Sequence, residues 1–544
     1  MRKRILPKWF WLGCGTAGLA LVVFFLAGSG LFGLRLYQLE WKTQGETALR
    51  FERVDTPFAN VSDITKKWGS LPFLAAVVID IDGDGRDEAF VGGGRAQQDA
   101  LLAFDSAAGA FRDIAAGRGL SKNAGDATMG GGAIDIDGDG APELFVARES
   151  GVWLYRNRGG TFDGAKLDLP IDADTVPLSI AFGDVNRDGA VDFYLSGYLR
   201  NALVDRQTQF TGPYGGYSYL FVNNGDDSWR DATEEYGLKR QHNTFTALFS
   251  DLDNDGDGDL VVAQDTGHVE MWENAGAPPM RRIENPSVYS YPMGIAAGDI
   301  DEDGLTDLYF SNVGPTLPEA VVRGDLPSDA PFNSDYMLFE NRGGLSFEDA
   351  AKRYKAARLG FGWGAVAADL DLDGWEDLTV AQNYAKFDDE IIIPRYDGKI
   401  LRNQDGVIFA PVEKRAGAVN RLFALSPMIG DYDGDGLPDL VWANLKGPAR
   451  AFLNRTPGAR SIRIAFPDNL SSLHARVEIA VGDRVLHRQI VSGQGISSDQ
   501  TASLFVGLGD AAAAERVTIR FADGRVETFD NVMAGAVLTP GAPR

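Results

Sequence analysis

The hydrophobic pattern of this chain is one of short runs. "AFVG", "LFVA", "FYLS", "LVVA", "LYFS", "LTVA" and "LVWA" recur along it, each rich in β-branched and aromatic residues and each ending on a small one. Such runs predict strands. A second set, including "AAVVI", "GGAI", "SIAFG", "TALFS" and "GIAAG", precedes them and predicts buried strands as well. A third set, "LLAFDSAAGAFRDI", "WLYRNRGGTF", "YLFVNNGDDSWRDATEEYGL", "YMLFENRGGLSFEDA" and "KILRNQDGVIFAPV", pairs two strands around a turn, a β-hairpin signal.

Between the first two sets lies a polar stretch with a fixed pattern, D-x-[DN]-x-D-G-x-x-[DE]. Its seven copies start at Asp80, Asp135, Asp184, Asp251, Asp299, Asp369 and Asp431, at spacings of 55, 49, 67, 48, 70 and 62 residues. Two strands flanking the loop plus one hairpin make a four-strand unit. Seven such units predict an all-β, seven-bladed β-propeller over residues 51–456, followed by a small C-terminal β-domain over 457–544. The longer spacings absorb insertions, "LRNALVDRQTQFTGPYGGY" and "GPTLPEAVVRGDLPSDAPF".

Charge sharpens the picture. The formal net charge is −25, and positions 1, 3, 5 and 9 of the seven loops hold 27 acids and one Asn. Without those acids the balance would be +2, so the acidity is concentrated in the loops. No basic patch offsets it, which excludes a nucleic-acid partner. Crowded carboxylates repel one another, and turn chemistry alone does not require acid at every such position.

Oxygen ligands at alternate positions of a tight loop converge on one centre, Gly at position 6 permits the turn, and position 7 offers its carbonyl. That donor set suits Ca²⁺, and no His or Cys within a loop invites a softer metal. The predicted ligands are Asp80, Asp82, Asp84, Arg86 and Glu88 in the first loop, and Asp135, Asp137, Asp139, Ala141 and Glu143 in the second. The third has Asp184, Asn186, Asp188, Ala190 and Asp192, and the fourth Asp251, Asp253, Asp255, Asp257 and Asp259. Then follow Asp299, Asp301, Asp303, Leu305 and Asp307; Asp369, Asp371, Asp373, Trp375 and Asp377; and Asp431, Asp433, Asp435, Leu437 and Asp439. Arg86, Ala141, Ala190, Leu305, Trp375 and Leu437 enter through the backbone carbonyl only. An EF-hand needs Glu at position 12 between two helices; Val91, Val146, Leu195, Val262, Phe310, Val380 and Trp442 stand there instead.

With these motifs in hand, residues 50–456 resemble the FG-GAP/VCBS repeats of integrin-α-type propellers. From Arg460 the chain resembles the ASPIC/UnbV domain of cartilage-acidic-protein-like sequences, through "ARVEIAVGDRVLHRQIVSGQGISSDQ", "LFVGLG" and "VTIRFADGRVETF". It departs where the family's F-G-L-G reads Val506-Gly507-Leu508-Gly509 and W-P-x-G reads Phe521-Ala522-Asp523-Gly524. The resemblance implies a calcium-binding interaction or envelope protein.

At the N-terminus "MRKR" and Lys8 precede an uncharged run from Trp9 to Leu34, long enough to span a bilayer. The expectation is a basic cytoplasmic tail (1–8), a signal-anchor helix (9–34) and a linker (35–50), with everything beyond exported to the periplasm or cell exterior. A signal cleaved near "LAGSG" is the rival reading. Cys14, the one cysteine, permits no intrachain disulfide.

Catalytic motifs are scarce. His242, His268, His474 and His487 form no H-E-x-x-H, and no nucleophile elbow, Walker loop or dinucleotide fingerprint is present. The expected function is a calcium-binding interaction scaffold or subunit of a membrane assembly, with up to seven Ca²⁺ ions and a protein partner. Two alternatives stand beside it. One is an enzyme or enzyme accessory with its site in the propeller channel or domain interface. The other is a glycan-binding module using aromatics such as Tyr214 and Tyr217. Arg323-Gly324-Asp325 spells an integrin-binding tripeptide, and "SVYSYPM" and "GFGW" are further aromatic clusters.

Overall fold

A computed structural model describes residues 44–64, 69–123, 125–204, 208–226, 228–384 and 395–541. The expected membrane span, its basic tail and residues 35–43 of the linker lie outside them. Among the described residues no helix is long and apolar enough to cross a membrane. Their helices are turns of three or four residues, and the protein is otherwise strands and loops.

Seven antiparallel sheets follow one another from residue 51 to residue 454. Their first strands are Ala76–Ile79, Thr128–Ile134, Thr175–Gly183, Thr244–Ser250, Ile295–Gly298, Gly362–Ala368 and Phe423–Gly430. These are buried almost throughout, as expected for strands with both faces covered. Each packs against the first strand of the next sheet, and Phe423–Gly430 packs back against Ala76–Ile79. The sheets therefore form a closed, propeller-like ring.

After each first strand comes the acidic loop, then a strand such as Glu88–Val91 or Asp439–Leu445, then a hairpin. All five predicted hairpins are present. The fourth sheet has one too, Glu270–Glu273 with Arg281–Arg282, in a stretch without the Asn-Gly or Asp-Gly turn signal. The last sheet takes its outer strand from the other end of the chain: Phe51–Val54 pairs with Arg450–Asn454.

The C-terminal part forms two small sheets, one around Ser461–Ala465 and one of Arg484–Gln489, Arg476–Val481, Ala513–Arg520 and Val526–Met533. It does not stand apart from the ring. Ile462, Ile464, Val477 and Val506 share one buried apolar cluster with Ile134, Phe182 and Phe193.

The segment 490–501 enters the middle of the ring and bonds to the first strand of every sheet. Ser498–Asp499 pairs in parallel with Ala76–Val77, and Asp499 Oδ2 accepts from the Ala133 amide at 3.2 Å. Ser492 Oγ accepts from the Phe182 amide (3.0 Å) and its carbonyl from the Phe249 amide (3.2 Å). Gly495 exchanges both backbone bonds with Ile295. Gln494 Oε1 accepts from the Ala297 and Ala367 amides at 3.3 and 3.1 Å, and Gln500 Oε1 from the Ile429 amide at 3.0 Å. Inner strands of a ring carry backbone donors that no neighbouring sheet takes up, and a buried unpaired donor is costly. The inserted segment satisfies them. Gly495, at φ 97°, is required there because an added Cβ would lie 2.1 Å from Ser498 Oγ and 2.5 Å from Ser426 Oγ.

Ile496, at its tip, is fully buried. Ile496→Ala should cost about 2–5 kcal/mol, and Gln494→Ala about 1–3 kcal/mol through the two amides it strands. Both are read as shifts in the urea midpoint.

Candidate metal centres

The seven loops share one backbone conformation. Position 6 is a left-handed Gly in every copy, from Gly85 (φ 85°) to Gly436 (φ 83°). Position 4 is left-handed in every copy too, although the sequence there reads Gly83, Gly138, Arg187, Asn254, Glu302, Leu372 and Gly434. A side chain such as Leu in that region costs backbone energy. Its recurrence at Leu372 (φ 59°) shows how strongly the loop dictates the fold locally.

Position 1 holds the loop shut. In the seventh copy Asp431 Oδ1 accepts from the Gly434 amide (2.9 Å) and Oδ2 from the Gly436 amide (3.0 Å), and Asp80 and Asp135 do the same in theirs. Asp184, Asp251, Asp299 and Asp369, whose loops lack Gly at position 4, accept from the position 5 amide instead, together with that of the position 6 Gly. The position 5 carboxylates Asp84, Asp139, Asp188, Asp255, Asp303, Asp373 and Asp435 accept from the position 7 amides. Position 9 reaches back to the amide of position 2, as Glu88 does to Ile81 (3.2 Å) and Asp439 to Tyr432 (3.1 Å).

A further residue type ties the loops to their neighbours. In four of the sheets an Asn on the third strand donates its side-chain amide to the loop of the preceding sheet. Asn157, Asn341, Asn403 and Asn454 reach the carbonyls of Ile81, Leu252, Ile300 and Leu370 at 2.8–2.9 Å.

Within these loops the acids gather. Ligand-capable oxygens lie within 4.8 Å of one another in Asp80/Asp82/Asp84, Asp135/Asp137/Glu143, Asp251/Asp253/Asp255, Asp299/Asp301/Asp303 and Asp369/Asp371/Asp373. Burial, reinforced by the neighbouring carboxylates, raises Glu88 and Asp299 to about 8 and Asp259 to about 9. Asp192 and Glu143 go to about 7, while Asp307, Asp369, Asp377 and Asp439 are pushed well above the usual carboxylate range.

Whether a divalent ion fits is tested by what the loop acids lack. Glu143 Oε1, Asp257 Oδ1, Asp301 Oδ1, Asp371 Oδ1 and Asp377 Oδ2 are buried without a hydrogen-bond donor. Arginines supply part of the counter-charge: Arg402 reaches Asp371 and Asp373, Arg187 reaches Asp257, and Arg158 lies 3.3 Å from Asp137. In the seventh loop Arg455 binds Asp433 (2.7 Å) and Asp435 (2.8 Å), and Arg463 binds Asp431 (2.9 Å). Two cations, which also face Glu52 and Asp87, do not balance the four acids Asp431, Asp433, Asp435 and Asp439, and a divalent ion would supply the missing positive charge. The donors are all hard oxygens, as Ca²⁺ prefers. The residues fit the ion.

The C-terminal domain rests on these loops. Arg463 donates to the Gly85 carbonyl (2.6 Å), Arg484 to those of Asp373 and Gly374 (3.3 and 3.2 Å), and Arg488 to Gly374 (3.0 Å). The Gly507 amide donates to Asp369 Oδ2 at 2.8 Å. Sequence reasoning missed this set. Its signal was the Arg-rich, Gly/Ser-rich run from Arg484 to Gln500, legible as β-domain but not as a plug.

Other sequence candidates take structural parts. Asp325 of the Arg-Gly-Asp tripeptide accepts from the Phe210 amide (2.7 Å) and Thr211 hydroxyl (2.6 Å), while Arg323 caps the Pro327 and Ala330 carbonyls. Tyr214 and Tyr217 are half-buried and bridge to His242 and Gln241. His242 and His474 are buried and pushed down to about 4 by that burial. The channel proposed for an enzyme site holds residues 490–501. A cavity of about 170 Å³ remains between ring and C-terminal domain, where Arg488 pairs with Glu302 (2.9 Å) and lies 3.6 Å from Glu376.

With this geometry the comparisons agree. Residues 80–146, 135–195 and 251–310 match the FG-GAP-like repeat, and 466–542 match the ASPIC and UnbV domain. The chain is an FG-GAP-repeat protein with a C-terminal ASPIC/UnbV domain. It is similar to cartilage acidic protein 1 of Homo sapiens, 26% identical over 339 residues, 57% of this chain and 47% of that protein. The same protein of Xenopus tropicalis is 23% identical over 46% of this chain and 48% of its own length. The chain thus spans about half the length of the curated relatives it matches. Among solved structures, BBS1N in complex with ARL6DN aligns over 76% of this chain and 98% of that one, at 11% identity and a TM-score of 0.45.

Chelating calcium should lower the melting temperature by many degrees, with no recovery in magnesium. Asp433→Ala should remove ~1–2 kcal/mol, about one site's share at millimolar calcium. Acids raised in the folded state favour folding below their unfolded values, and that advantage is lost as pH climbs to their folded values. The urea midpoint of the chelated protein should therefore fall between about pH 4 and 9. In saturating calcium that fall should vanish, because the cation holds the carboxylates ionised.

Proposed function

We propose that this protein is a membrane-anchored calcium propeller of seven blades, facing the periplasm or cell exterior and acting as a protein-interaction scaffold or subunit of an envelope assembly. The loop residues named above hold Ca²⁺ through their carboxylates, Asn186 and the position 7 carbonyls, with the propeller taken as residues 51–456 and the C-terminal domain as 457–544. The observation that carries the reading is that the C-terminal domain docks on the acidic loops themselves, through Arg463, Arg484 and Arg488 on their backbone carbonyls and the Gly507 amide on the Asp369 carboxylate. An ion that fixes those loops fixes the platform on which the domain sits, and so the shape both present to a partner.

The anchor rests on the uncharged run from Trp9 to Leu34 after a basic tail. The matched repeats and domain support the interaction role.

Amide exchange across residues 490–501 should be slow in calcium and rise by orders of magnitude on chelation; equal exchange in both would count against calcium-dependent docking. Affinity capture of the full-length chain from gently solubilised membranes should recover a protein partner in calcium and lose it in chelator. Turnover that persists through purification to homogeneity, with no partner retained, would favour the enzyme reading instead.

A further inference from the structure

Position 8 of the acidic loops is outside the repeated pattern, and the seven copies read Asp87, Pro142, Val191, Gly258, Thr306, Glu376 and Pro438. Two of these are acids, and both reach the loop of the preceding sheet. Glu376 Oε2 accepts from the Asp299 amide at 2.9 Å, and Asp87 Oδ2 accepts from the Asp431 amide at 2.7 Å. Each amide belongs to position 1 of its loop. The residue just before it is Gly298 in one place and Gly430 in the other, and an added Cβ there would lie 2.3 Å from Glu376 Oε2 and 2.8 Å from Asp87 Oδ2.

Each of the two acids is met by an arginine of the C-terminal domain that grips both loops at once. Arg488 donates to Glu302 at position 4 of the fifth loop (2.9 Å) and to the Gly374 carbonyl at position 6 of the sixth (3.0 Å), with Nε 3.6 Å from Glu376. Arg463 donates to Asp431 at position 1 of the seventh loop (2.9 Å) and to the Gly85 carbonyl at position 6 of the first (2.6 Å), and lies 4.0 Å from Asp87. All four side chains are buried. In both places position 7, Trp375 or Arg86, is bracketed. The carbonyl before it is held by the arginine, and the residue after it is tied to the neighbouring loop. Position 7 is the one that offers its own carbonyl to calcium.

We infer, on the calcium reading above, that Glu376 with Arg488 and Asp87 with Arg463 are positioning residues that make calcium filling cooperative in two pairs of loops, the fifth with the sixth and the seventh with the first. Groups that orient a metal ligand without touching the ion change metal affinity by about tenfold or more. An ion in the fifth loop fixes Asp299 and the ligands on either side of Glu302. Glu376 and Arg488 pass that order to the backbone around the Trp375 carbonyl, and by linkage an ion in the sixth loop favours the fifth equally. The sixth and seventh loops meet across Pro438, which has no carboxylate to offer. They share the Asn454 link, of the same kind that Asn403 makes between the fifth and sixth. The contrast between the two neighbours of the sixth loop therefore isolates the acid and its arginine.

The test is titration of the full-length chain with terbium, an ion that takes calcium sites. Filling of the sixth loop is read as luminescence excited through Trp375, the one tryptophan within a loop, and is defined as the signal lost in Trp375→Phe. Asp303→Asn in the fifth loop should raise the half-filling concentration of the sixth by about fivefold or more. Asp435→Asn, the same change in the seventh loop, should leave it unmoved. Glu376→Ala should abolish the response to Asp303→Asn, and Glu376→Gln, which still accepts the Asp299 amide, should restore it. A purely structural contact would lower the melting temperature without separating the two neighbours. No shift with Asp303→Asn, an equal shift with Asp435→Asn, or a response that survives Glu376→Ala overturns the coupling and leaves calcium binding standing. A Trp375 signal that is absent, or that calcium does not compete away, overturns both. Asp301→Asn serves in place of Asp303→Asn if that variant folds poorly.

Discussion

Repulsion among carboxylates governs this structure. Five of the loops bring three acids within a few ångströms, and the loops bury part of their acids and shut the first carboxylate around their own amides. Left to themselves, such groups would take up protons or push the loop open. Arg455 and Arg463 meet part of the charge in the seventh loop, and a divalent ion there would balance the remainder. The left-handed backbone at Leu372 and the stranded oxygens of Asp371 and Asp377 are further signs that the loops are shaped for a ligand and not for internal economy.

From that constraint follows the way the pieces hold together. Asn157, Asn341, Asn403 and Asn454 stitch four of the sheets to the loop of the sheet before. Arginines of the C-terminal domain hold the loop carbonyls from above, and residues 490–501 saturate the inner strands from within. The two halves read from the sequence as separate domains share a core through Ile462 and Phe182.

Much of this could be read from the residues. The strand–loop–strand unit, the hairpins and the acidic positions follow from short β-branched runs, Asn/Gly turns and a fixed period, all local signals. The fourth hairpin escaped because Glu270–Arg282 lacks an adjacent Asn-Gly or Asp-Gly pair, and the outer strand Phe51–Val54 because its partner is some four hundred residues away. Position 4 of the loops was invisible because Arg187, Glu302 and Leu372 do not advertise a left-handed backbone. The plug was hidden for a different reason. "VSGQGISSDQ" has the composition of a surface loop, and only the unpaired amides of seven distant strands make it an interior one. Such a demand belongs to the assembled ring and leaves no mark on the neighbouring residues.

The closure of the last sheet by Phe51–Val54 has a consequence for biosynthesis. A ribosome releases this strand early, yet its partner Arg450–Asn454 and the plug beyond it emerge only near the end. Through most of translation the ring is an open arc with one raw edge and an empty hub. Such a topology rewards late, long-range contacts and folds slowly. The nascent chain must therefore be kept from pairing its exposed strand edges with other molecules until Arg450–Asn454 and the plug have arrived.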